Sequence, residues 1–145
     1  MRRPVIAALS TILALTSCDD ERRAAEAALQ SGDGILAQRA IWTIASRHAT
    51  AAWAVPALRR ALTNDKLRVH AAWALAEIGP AAAAARPELL GLLRNPSGSV
   101  RAASAWAIGR LGLRDAEVRA ALSKLENDDD LLAHKAAATV LARMN

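Results

Sequence analysis

Three tryptophans, Trp42, Trp73 and Trp106, stand thirty-one and thirty-three residues apart, and each carries charged or titratable neighbours within about one helical turn. Arg39 precedes Trp42 by three residues and His70 precedes Trp73 by three. Glu77 and Arg110 follow Trp73 and Trp106 by four. Aromatic faces rimmed by arginines have the composition of a protein-binding hot spot, so the chemistry these residues point to is recognition. Other candidates for chemistry fail on spacing. His48, His70 and His134 fall at no metal-ligand interval, and Asp128-Asp129-Asp130 lacks the alternating ligands, glycine and closing Glu of a calcium loop. The acidic run reads instead as a helix N-cap that also complements the helix dipole. No phosphate loop or nucleophile elbow occurs, and Cys18 is the only thiol. The sequence therefore reads as a non-enzyme, with no catalytic residue, metal or cofactor expected.

The elements that must position the indoles are helices. Hydrophobic residues make up 53% of the 145, but many are alanine, with no Phe or Tyr, and no alternating β-branched run occurs. Alanine favours helix and buries little area, so close helix packing has to replace bulky side chains. Residues 65–79 and 98–112 are copies of one unit: Leu67, Arg68, Ala72, Trp73, Ala74, Leu75, Ile78 and Gly79 fall on Val100, Arg101, Ala105, Trp106, Ala107, Ile108, Leu111 and Gly112. An internal period of this length predicts a stacked solenoid. A degenerate copy runs from Ile35 to His48, with Leu36, Ala40, Trp42 and Ile44 in register. The intervening segments from Trp53 to Asn64 and Ala84 to Asn95 also match, each with an early proline, Pro56 or Pro87. A third such segment runs from Asp115 to Glu126, and Leu131 to Arg143 closes the array with Ala137, Val140, Leu141 and Met144 on core positions. Arg22 to Gln30 opens it.

In the best copy, Leu67, Ala71, Ala74, Leu75 and Ile78 form one stripe, and Trp73 projects about 145° away from its centre. Two readings of the indole row stay open: packing between repeats, or an exposed recognition stripe along the layer of second helices. Turning about 40–60° around each helix from the row brings Arg39, His70, Glu77, Arg110 and Arg143 beside it. Trp53, on a first helix, is expected to pack.

A first helix with an early Pro, an Asn/Asp turn, Val/Leu-Arg, then Ala-Ala-Trp-Ala-Leu and Ile/Leu-Gly resembles the HEAT repeat, in the short form also found in phycobilin lyase subunits. The resemblance covers Ile35 to the C-terminus and is closest from Val55 to Gly112. It implies an all-α solenoid of about four helix pairs, a right-handed superhelix with the second helices on its concave side, and a scaffold that binds other proteins. It also implies that Arg68 and Arg101 form a ladder with the turn residues Asp65, Asn64 and Asn95. Two rival functions come with the resemblance: an accessory subunit of a lyase-type enzyme, and nucleic-acid binding as in HEAT-like DNA glycosylases. Export argues against the second, and no nucleic acid is expected.

Export is read from the start of the chain. Met1-Arg2-Arg3 is a basic n-region, and Pro4 to Leu15 is apolar apart from Ser10 and Thr11, a length suited to a signal peptide and short for a bilayer span. It ends in Leu15-Thr16-Ser17-Cys18, which resembles a bacterial lipobox. That resemblance implies cleavage before Cys18, diacylation of its thiol and anchoring to a membrane of the cell envelope, facing the periplasm; two or three acyl chains hold without a transmembrane helix. Asp19 after the cysteine implies retention at the inner membrane, as in enterobacterial lipoproteins. The expected organisation is thus a signal peptide over 1–17, an acylated cysteine with a short acidic tether over 18–23, and a repeat domain over 24–145. Losing Arg2 and Arg3 lowers the net charge from +5 to +3. The charge that remains is uneven: residues 34–114 hold 11 basic residues against Asp65, Glu77 and Glu88, between acidic flanks. Such a block suits anionic headgroups or an acidic partner, or arginines that merely solvate helices.

Overall fold

The computed structural model describes residues 18–144. The leader expected over residues 1–17, and the thiol of Cys18, lie outside the described residues. Four helix pairs follow one another: α1 (Cys18–Gln30) with α2 (Gly34–Ala45), α3 (Val55–Ala61) with α4 (Arg68–Ile78), α5 (Arg86–Leu92) with α6 (Gly98–Arg110), and α7 (Ala116–Ser123) with α8 (Leu131–Ala142). No strand occurs among the described residues, and the chain is an α-solenoid. No described helix is long and apolar enough to cross a membrane.

The first helices are shorter than their sequence signals. The pair expected to start at Trp53 and Ala84 opens with 3-10 turns, His48–Ala54 and Gly79–Ala85, and the α-helix begins one residue before Pro56 and Pro87. Proline fits there because the first turn of a helix needs no N–H donor. The seventh helix likewise gives way to a 3-10 turn, Lys124–Asn127. At the other end the acidic residues of the expected tether are helical, as carboxylates at a helix N-terminus favour. Asp19, Asp20 and Glu21 form the first turn of α1, at the positive end of its dipole, and Glu21 receives Arg47 Nη2 at 2.6 Å.

Caps set the other boundaries. Asp33 accepts from the N–H groups of Ile35 and Leu36, Asp115 from Val118, and Asp130 from Leu132 and Ala133. Gly79 ends α4 at φ 73° and ψ −142°, a conformation that a Cβ disfavours.

The core lies between the two layers and within the inner one. The second helices α2, α4, α6 and α8 pack directly on one another, whereas the first helices of consecutive pairs barely meet. The layer of second helices is termed the inner one, the place that the HEAT resemblance implies for it. Alanines allow this: Ala71, Ala72, Ala74 and Ala76 of α4 are all buried beside Leu75 and Ile78, so α4 is covered on nearly every side. Between α6 and α8 the approach is closer still, because a Cβ on Gly109 would stand 2.5 Å from Val140 Cγ2. The core stripe expected from the sequence, Leu67, Ala71, Ala74, Leu75 and Ile78, is buried throughout.

Candidate functional site

Beyond Arg68 and Val69 in its first turn, α4 leaves uncovered one strip, His70, Trp73 and Glu77, and the equivalent strips of α2 and α6 carry Trp42 and Trp106. Stacking the second helices side by side aligns these strips. The Trp73 and Trp106 rings lie 6.0 Å apart, inclined at 43°, and Trp42 meets the His70 ring at 6.1 Å. Gln38 of α2 reaches across to His70 Nε2 at 2.9 Å, which fixes the imidazole between the two helices. The row that the repeat spacing predicts is therefore continuous from Trp42 through His70 and Trp73 to Trp106.

The indoles differ in exposure along the row. Trp42 is 59% exposed and Trp73 41% exposed, unusually open for indoles, whereas Trp106 is half-buried against the core. Its N–H is closed to solvent and finds no acceptor among the described residues. Arg143 lies over the Trp106 ring with Cζ at 5.7 Å from the ring centre, close enough for cation–π attraction. Arg110 stands beside the row with Nη2 at 3.9 Å from Glu77 Oε2, and Arg39 is exposed one turn before Trp42. These contacts bring together Trp42, His70, Trp73, Glu77, Trp106, Arg110 and Arg143, while Arg39 is joined to none of them by a side-chain hydrogen bond, ion pair or ring contact. Trp53 is half-buried in the outer layer, as expected, with Arg22 above it.

Between Trp42 and Trp73 the face deepens into a cleft of about 310 Å³. Ile41, Ala45 and Ala74 make its apolar floor, and the two indoles wall it. At one end His48 Nδ1 contacts Glu77 Oε2 at 3.2 Å. Sequence reasoning passed over His48, and the structure gives it a distinct place. Its φ is 47°, the one positive value at a non-glycine residue among those described. In the next two repeats the register position of His48 is occupied by Gly79 and Gly112, with φ of 73° and 74°. The signal was present in the sequence as a histidine in the slot where the other copies place glycine.

The turns hold the layers together through arginines rather than offering a ligand site. Arg101 donates from Nε and Nη2 to the two carboxylate oxygens of Asp128 at 2.8 and 2.6 Å, and from Nη1 to the carbonyls of Asn95 and Pro96. Arg68 pairs with Asp65 and donates to the Thr63 carbonyl. The implied ladder is present only in part: Arg68 bonds within its own turn, and Arg101 alone crosses to the next repeat. Asn64 and Asn95 use their side chains to fold the turn, accepting from Lys66 and Ser97, and Asp128 takes the place expected for a turn residue nearer Arg101. The two hydrogen bonds from Arg101 hold the Asp128 carboxyl below its ordinary range, and those from Arg86 do the same for Asp115. On the outer layer Arg59 pairs with Glu88 at 2.6 Å, and Arg86 with Asp115 and Glu117 at 2.8 and 2.7 Å, each across a repeat boundary. Among the described residues no group of three His, Cys, Asp or Glu side chains is placed to hold a metal ion.

Comparison with known proteins agrees with this architecture. The HEAT repeat family profile matches residues 85–113, which hold α5 and α6. No curated protein sequence matches the chain. Among solved structures, a designed armadillo repeat protein in complex with the peptide (KR)4 superposes with a TM-score of 0.69 at 20% identity, over 84% of this chain and 63% of that one. An engineered protein superposes with a TM-score of 0.67 at 25% identity, over 83% of this chain and 60% of that one. The chain thus spans a little over three fifths of the length of these neighbours. Both are repeat scaffolds or engineered proteins, and no catalytic family is indicated. The chain is an α-solenoid in which one helix pair matches the HEAT repeat.

Proposed function

We propose that this chain is a lipid-anchored HEAT-repeat scaffold of the bacterial envelope, and that it docks a protein partner on the indole row of its inner layer. The observation that carries the docking half is the row itself. Indoles held in register by three successive second helices, two of the rings open to solvent, give a rigid aromatic surface that loses little side-chain entropy on binding. That a designed armadillo repeat neighbour is solved in complex with the peptide (KR)4 supports a protein partner for a fold of this kind. The anchoring half rests on the basic, apolar leader and the Leu15-Thr16-Ser17-Cys18 box.

Each half has its own test. Trp73→Ala should abolish partner capture while leaving the helical signal and melting temperature nearly unchanged, because Trp73 is 41% exposed. Trp106→Ala should weaken capture and also destabilise, since that ring is half-buried. If Trp73→Ala melts the fold instead, the row is inter-repeat packing and the docking reading fails. For the anchor, mass spectrometry of the membrane-extracted protein should find an acylated Cys18 N-terminus that Cys18→Ser abolishes. An unmodified Cys18 in the wild type ends that half.

A further inference from the structure

The inner face is aromatic, and it is also short of carboxylates. In the outer layer and the turns, Arg47, Arg59, Arg68, Arg86 and Arg101 each meet an acidic side chain at close range. Other cations, Arg60, Lys66, Arg94 and Arg114 among them, also make no ion pair among the described residues, so what sets the row apart is that its unpaired cations stand beside indoles. Arg39 makes no ion pair among the described residues. Arg110 has only the distant Glu77, whose carboxylate is already shared with His48, and Arg143 rests on the Trp106 ring. Three exposed guanidiniums therefore flank the row with their charge largely uncompensated. His48 adds a second sign of use: a side chain is kept at a backbone position suited to glycine, where it walls the cleft and holds the one carboxylate there.

We propose that the row takes an acidic peptide segment of a partner protein carrying one bulky apolar side chain. That side chain enters the cleft between Trp42 and Trp73, while carboxylates before and after it pair with Arg39, Arg110 and Arg143. The inference rests on the docking function proposed above and narrows its partner. Ile41, Ala45, Ala74 and two indoles make most of the cleft's lining, with Ser46, His48, His70 and Glu77 completing it, which suits a single leucine, phenylalanine or tryptophan. Arginine forks recognise carboxylates in bidentate geometry, and like charge opposite an uncompensated arginine is repelled. The designed armadillo neighbour holds a basic peptide. The charge on this inner face calls for the opposite sign.

The experiment is a selection of short random peptides on the immobilised full-length chain, followed by titration of the synthetic peptides that emerge. The expected winners are rich in Asp and Glu with one large apolar residue. Their affinity should fall about tenfold or more in Trp73→Ala, in Arg110→Glu and, separately, in Arg39→Glu, and should weaken with added salt. Arg39 and Arg110 are on different repeats and both exposed, so local damage at one leaves the other informative. Winners that are basic or uncharged, yet depend on Trp73, overturn the acidic partner and leave the docking function standing. A library without any Trp73-dependent binder overturns both. Vesicles of anionic phospholipid bound through Trp73 and Arg110, with no peptide selected, overturn the proposal in favour of a membrane surface.

Discussion

Replacing His48 separates the backbone cost of its position from the contacts of its side chain. A non-glycine residue in the left-handed half of backbone space costs about 1–3 kcal/mol, and glycine returns about 0.5–1 kcal/mol of that as extra chain entropy in the unfolded state. The exposed His48–Glu77 contact contributes little by comparison. His48→Gly should therefore raise stability by about 0.5–1 kcal/mol, whereas His48→Ala keeps the strain and loses the contact. The difference between the two variants cancels the missing imidazole and isolates the backbone term, about 1 kcal/mol in favour of glycine, or about 4 °C in Tm. Urea unfolding followed by far-ultraviolet circular dichroism measures it. Because the imidazole also walls the cleft, His48→Gly should at the same time bind the selected peptides more weakly. Alanine equal to or better than glycine would refute the reasoning, since it would mean that His48 carries no positive φ in solution.

Other expectations follow from the packing and the charge pairs. Leu75 is fully buried in the helix that touches both neighbours, so Leu75→Ala should cost about 2–5 kcal/mol; a loss under about 1 kcal/mol in denaturant unfolding would contradict the observed register. Gly109→Ala forces a methyl group against Val140, whose β-branched side chain is stiff in a helix, and should cost about 1–3 kcal/mol by the same assay. Asp115 and Asp128 have folded-state pKa values held below the unfolded value by Arg86 and Arg101. Their stabilisation is complete above the ordinary Asp value of about 4 and is lost as pH falls from there through the folded values. Acid unfolding should be shallower in Asp128→Asn, and an unchanged acid limb would remove Asp128 from that role.

The two-layer plan was legible because it is written as a period. Leu67, Ala71, Leu75 and Ile78 recur at helical spacing, and their copies recur at repeat spacing, so both helix and stacking follow from position alone. Pro56 and Pro87 likewise announce a first turn. The 3-10 turns before them carry no comparable mark, because a run such as Gly79–Ala85 is mostly alanine and suits either helix type. At the site, periodicity placed the tryptophans on one line but not the depth between them. The cleft depends on how far Ile41, Ala45 and Ala74 lie below the rings, a matter of interhelical distance. Gln38, one turn before Trp42 on the same helix, holds the His70 imidazole that Trp42 meets, a contact across helices that no spacing announces. The partner of Arg101 was hidden for a similar reason: Asp128 is twenty-seven residues away and belongs to the next turn.

The unequal closeness of the two layers has a mechanical consequence. Along the inner layer the helices share a continuous seam of alanines and leucines, which resists being pulled apart because any gap opens a void. Along the outer layer, consecutive first helices are tied by the half-exposed pair Arg59–Glu88 and by Arg86 with Asp115 and Glu117. Such clasps weaken as ionic strength rises, because mobile ions screen them. The array therefore behaves as a spring with a stiff inner edge and a salt-softened outer one. Its easiest bending keeps the inner seam intact and changes only the spacing of the outer helices.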